Sequence, residues 1–99
     1  MINTIDIARS SRVALKYGAE LRELTDDDAG LMVEARIPFA EPTTGWVDVT
    51  WLETDGVWTV DPYLGHDSLS VSQARGAAAT FVRAVDLAEE LNAVDGSAA

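Results

Sequence analysis

No cysteine occurs in the chain, which excludes a disulfide framework and thiolate zinc ligation and fits a reducing compartment. A single histidine, His66, leaves any familiar zinc site without a second imidazole. The seven glycines are scattered singly, so no phosphate-cradling loop stands at a strand-to-helix junction. No apolar run approaches the ~18 residues a membrane span requires. The opening MINTIDIARSSR lacks the basic and apolar regions of a signal peptide, and a cytosolic protein is the expectation. Basic residues are scarce: seven against seventeen acids, for a net charge of -10. A field of that sign repels nucleic acid and anionic membrane while speeding encounters with basic partners.

What is present is globular. Of 99 residues, 47% are apolar, well above the depleted hydrophobicity that keeps acidic chains disordered. One domain over residues 1–99 is expected, with residues 1–10 and 94–99 as flexible ends. Residues 1–24 carry four bases and three acids, whereas residues 25–99 carry three bases and fourteen acids. The acidity is therefore carried by the folded surface of the later segment.

All three tryptophans fall in WVDVTWLETDGVWTVDP, residues 46–62, interspersed with acids. Reading Asp55-Gly56 as a two-residue type I′ hairpin loop pairs Glu53 with Trp58 and Trp51 with Val60. Side-chain alternation then places Val47, Val49, Trp51, Trp58 and Val60 on a core face, with Trp51 and Trp58 as diagonal neighbours. Asp48, Thr50, Leu52, Thr59, Asp61 and Tyr63 take the opposite face, and Trp46 falls with them. Upstream, Leu31, Val33, Ala35, Ile37 and Phe39 alternate with Met32, Glu34 and Arg36 as a half-buried strand. The segment RVALKYGAELREL fits both periods. With Gly18 weakening a helix, a strand is preferred and a helix is the alternative, which would give the order αβββα. Ser70 and Gln73 have capping-box spacing and open a helix over about 71–92, whose buried side is expected to be Val71, Ala74, Ala78, Phe81, Val82, Val85 and Leu91. The fold class expected is α+β, an antiparallel sheet of about four strands with the C-terminal helix across one face.

Chemistry-bearing patterns are weak. Asp61, His66 and Asp67 share a segment with Pro62 and Gly65 that reads better as a connecting loop than as a metal or proton-transfer cluster. Asp26-Asp27-Asp28 lacks the alternating ligands of a calcium loop and reads as a solvated turn. No cofactor and no enzymatic activity are expected. Asp86, Glu89 and Glu90 crowd the end of the last helix, where the macrodipole favours cations, and only Arg83 is within helical reach of Asp86.

Function is therefore read from the surface. The candidate partner-binding residues are Trp46, Asp48, Asp61, Tyr63, Asp86, Glu89 and Glu90, forming an acidic face for a basic surface of another protein, such as one that binds nucleic acid. In charge and size alone the chain is similar to small acidic proteins of phages and mobile elements, including DNA mimics and some anti-CRISPR proteins. The alternative is a structural homo-oligomer formed through the sheet edge or the Trp46 face.

Overall fold

The computed structural model describes residues 3–28 and 30–94, which form two helices and a four-stranded antiparallel sheet. The order is α1 (Ile7–Leu15), β1 (Leu21–Asp26), β2 (Gly30–Pro38), β3 (Gly45–Leu52), β4 (Trp58–Leu64) and α2 (Val71–Val94). The strands lie side by side in chain order. Both helices cover one face of this meander, so the α+β architecture with a C-terminal helix on the sheet is the one observed.

The strand reading of residues 12–24 holds for residues 21–24, which open β1, and is corrected for residues 12–15, which end the first helix. Asp6 caps α1 by accepting from the Arg9 N–H (3.1 Å). The helix closes where Gly18 N–H donates to the Leu15 carbonyl (3.0 Å) and Ala19 N–H to the Ala14 carbonyl (3.1 Å). Gly18 sits at φ 70°, the left-handed conformation that such a terminus needs. Gly18 is thus not a breaker inside an element but the stop between two. Val13 and Ala14 are buried and Leu15 is 64% exposed, so the apparent alternation was a helix followed by a strand. The order is αββββα, with one strand more than the alternative allowed. Of the expected loose ends, residues 1–2 and 95–99 lie outside the described residues, and Ile7–Ser10 belong to α1 with Ser10 fully buried.

The tryptophan segment keeps its faces and changes its register. Trp51 pairs directly with Trp58, Val49 with Val60 and Asp48 with Asp61, a slip of two residues from the two-residue turn. A type I′ turn needs positive φ at both central residues, and Gly56 (φ 68°) adopts it while Asp55 does not. A wider loop results, closed by Asp55 and Gly56 N–H groups donating to the Leu52 carbonyl (3.0 and 2.8 Å). Because strand periodicity is two, a slip of two leaves every side chain on its expected face. Val47, Val49, Trp51 and Trp58 are accordingly buried beside Val33, Ala35, Ile37 and Phe39 of the neighbouring strand and its end.

The C-terminal helix starts as expected. Ser70 N–H donates to Gln73 Oε1 (2.9 Å) and Gln73 N–H donates to Ser70 Oγ (3.1 Å), a complete capping box. Of the expected buried side only Leu91 is fully buried, and Ala74 and Ala78 are exposed. Ala77, Thr80, Ala84, Leu87, Ala88, Leu91 and Asn92 face the core, whereas Val71, Phe81 and Val82 are exposed at 74%, 40% and 57%. The helix is apolar on two adjoining stripes, and the large Leu87 and Leu91 side chains decide which one turns inward.

Candidate partner-binding surface

The face of the sheet away from the helices is built in rows by the register. One row is Arg36, Asp48 and Asp61, the next is Pro38, Trp46 and Tyr63, and another is Arg22, Glu34, Thr50 and Thr59. Opposite charges meet across the strands. Arg36 Nε donates to Asp48 Oδ1 (2.9 Å) and its Nη2 to Asp48 Oδ2 (3.2 Å), a bidentate pair. This bond, chiefly, lifts the guanidinium further above its already high ordinary pKa. Arg22 Nη2 also pairs with Glu34 Oε1, from β1 to β2.

Asp48 is consequently buried, 5% exposed, and its second neighbour is the Trp46 indole, whose Nε1 donates to Oδ2 (3.2 Å). The reading of Asp48 as an open acid on the hairpin face is corrected by this geometry: its lone pairs are committed to Arg36 and Trp46. Trp46 is half-buried beneath the Arg36 guanidinium, 4.0 Å from the ring centroid, with the Tyr63 ring centroid at 5.6 Å. The cation and the two rings form one packed unit, with Tyr63 left 51% exposed. Asp61 beside it is exposed.

Glu90 is likewise a partner within the fold. It accepts from Lys16 Nζ and from the Tyr17 hydroxyl (2.7 Å), joining the end of α1 to α2. The Lys16 and Tyr17 bonds hold its carboxyl below the usual range, and the bond to Glu90 raises the Tyr17 phenol. Arg83 donates to the Tyr17 carbonyl (2.7 Å). The strain expected at this helix end is thus relieved at Glu90 by a distant part of the chain, while Asp86 and Glu89 remain exposed. A carboxyl depressed in the fold stabilises it above the ordinary carboxylate pKa and loses that contribution as pH falls through the depressed value. Glu90→Gln is therefore expected to lower the thermal midpoint at neutral pH, with the gap from the parent closing below about pH 4. Parallel midpoint curves across that range would contradict the assignment.

His66 accepts from the Thr44 N–H through Nε2 (2.9 Å) and lies 3.2 Å from Thr44 Oγ1, tying the loop before α2 to the loop before β3. Among the described residues no three His, Cys, Asp or Glu side chains are grouped so as to hold a metal ion. His66→Ala should cost about 0.5 to 1.5 kcal/mol, one hydrogen bond, and chelators should leave the midpoint unchanged. A chelator-induced drop that His66→Ala abolishes would show a metal role.

Besides Asp61, Asp86 and Glu89, a further group of open acids lies where alternation gave no hint of it. In a meander the β1–β2 and β3–β4 loops fall at the same end of the sheet, and Glu53 N–H donates to the Leu31 carbonyl (2.9 Å) between them. Asp26, Asp27, Asp28 and Asp55 are exposed there, with Glu53 half-buried. Asp26 Oδ1 accepts from Asp28 N–H (2.9 Å), which fixes the turn. Two loops that read separately as a solvated turn and a hairpin loop become one acidic end through strand pairing.

Two concavities stand out among the described residues. A polar groove of about 420 Å³ over β1 and β2 is lined by Gly18, Glu20, Leu21, Arg22, Glu34 and Arg36. Its arginines are those already bonded to Glu34 and Asp48. An apolar groove of about 270 Å³ lies between β4 and α2. No protein-family model, curated protein or solved structure matches the chain. Among the described residues no helix is long and apolar enough to cross a membrane.

Proposed function

We propose that this is a small non-enzymatic protein-binding module of the cytosol whose acidic surface docks on a basic surface of another protein. The observation that supports the reading is the division of its carboxylates. Asp48, Glu34 and Glu90 are bonded to arginine or lysine within the fold, whereas Asp27, Asp28 and Asp55 stand exposed at one end of the sheet with no ion pair among the described residues. Asp61, Asp86 and Glu89 add exposed charge along β4 and α2. Carboxylates grouped on two adjoining turns imitate a phosphate array, and a nucleic-acid-binding surface is the basic surface such an array fits, as for a DNA mimic that acts as an inhibitor.

The test is a pull-down from host lysate with the parent chain and with an Asp27→Lys, Asp28→Lys, Asp55→Lys variant as baits. A partner retained by the parent, lost by the variant and displaced by duplex DNA is the expected result. Recovery of the same partners by both baits, or partners that DNA does not displace, would overturn the reading.

A further inference from the structure

The second apolar stripe of α2 is not covered by the chain. Pro62 and Leu64 alternate onto the helix side of β4 with Trp58 and Val60, yet Pro62 is exposed and Leu64 is 49% exposed. With Phe39, Ala77, Ala78 and Phe81 they line the apolar groove. On the same stripe of α2, Val71 and Val82 stand largely in water. Packing of α1 against α2 is fixed at Tyr17, Arg83 and Glu90, which lie on the other side of the helix from this stripe. The core therefore has an unfinished margin, bounded by the edge strand and one flank of α2. An apolar flank next to an apolar groove marks an interaction surface.

We infer that this margin is the interface of a homodimer in which two α2 helices pack antiparallel about a two-fold axis near Thr80–Phe81. The occupant follows from charge. Arg75 and Asp86 are exposed on the same side of the stripe, equally far from the Thr80–Phe81 step and on opposite sides of it. Neither takes part in an ion pair among the described residues. Antiparallel pairing about that step sets Arg75 of each copy against Asp86 of the other, and two-fold symmetry makes the bridge twice. Phe81 and Val82 of each copy meet the groove side of its mate. The pairing also separates like charge. Asn92 is bonded to the Trp58 backbone, so the C-terminal end of α2 lies at the acidic loop end, and an antiparallel pair sends the two acidic ends in opposite directions. This interface is neither the sheet edge nor the Trp46 face, and it leaves the acidic ends open whether or not they dock on a partner.

Sedimentation equilibrium of the full chain tests the dimer. The parent should sediment as a dimer at about 50 μM, and Phe81→Glu with Val82→Glu as a monomer of unchanged circular dichroism, since a charge buried in an apolar interface is unpaired there. Arg75→Glu and Asp86→Arg should each weaken association about tenfold or more, and the double exchange should restore it. The exchange keeps the test open even if the Phe81 variant fails to fold. A monomeric parent at that concentration, or a dimer indifferent to Arg75 and Asp86, would overturn the inference, as would a parent that pairs only with another protein's helix.

Discussion

Trp51→Ala and Trp58→Ala are each expected to destabilise the fold by about 3 to 5 kcal/mol, and Trp46→Ala by appreciably less. Trp51 is 1% exposed and Trp58 3% exposed, directly opposite one another at the closed end of the β3–β4 pair. Their removal would leave cavities flanked by two strands and the helices above, which cannot collapse without moving the sheet. Trp51 offsets part of its own burial, because its Nε1 is buried without a hydrogen-bond partner among the described residues. Trp46 lies on the other face with one side toward Arg36 and Tyr63, and water can replace much of its contact. Chemical denaturation of the three variants decides the matter: equal losses of midpoint would show that the two faces are not as different as their burial states.

Asn92→Ala is expected to cost about 2 to 4 kcal/mol, more than any other replacement of a neutral polar side chain near the helix end. The Asn92 amide accepts from Trp58 N–H (2.7 Å) and donates to the Trp58 carbonyl (3.2 Å), 5% exposed at the edge of β4. It supplies the pair of bonds that a fifth strand would make, and it anchors the last turn of α2 to the first residue of β4. Alanine would leave both backbone groups without this partner in a buried place. Hydrogen exchange at the Trp58 amide should accelerate in parallel with the loss of midpoint. A neutral Asn92→Ala would mean that water satisfies the edge as well as the side chain does.

Features that depend on one strand or one helical turn were legible in the chain. Alternation from Leu31 to Phe39 and from Val47 to Trp51 identified which side chains face the helices and which the opposite side, since a register slip of two residues does not alter parity. Ser70 and Gln73 fixed the start of α2 by local geometry alone. Features that depend on two distant segments were not. The Arg36–Asp48 and Arg22–Glu34 pairs follow from cross-strand register, and the Lys16–Tyr17–Glu90 cluster from the docking of α1 on α2. Asp48 and Glu90, chosen for their apparent freedom, were therefore the acids that the fold had engaged. The buried side of α2 was misassigned because an alanine-rich helix presents apolar residues around most of its circumference, and its phase is set by tertiary packing. Gly18 carried the signal for the end of α1, through its place after a helical turn and before Ala19, but the same residue fits a weakened strand.

The most direct test of the account is a comparison of association rates for the captured partner at about 50 and 300 mM salt, where screening lengths differ roughly 2.5-fold. Parent chain and the Asp27→Lys, Asp28→Lys, Asp55→Lys variant are measured beside Asp48→Asn. Expected are fast association by the parent that slows steeply with salt, slow and salt-insensitive association by the triple variant at unchanged stability, and reduced stability in Asp48→Asn with its association intact at temperatures where it remains folded. Association by the parent that ignores salt, or a triple variant that binds as fast as the parent, would contradict the assignment of the exposed loop acids as the docking surface.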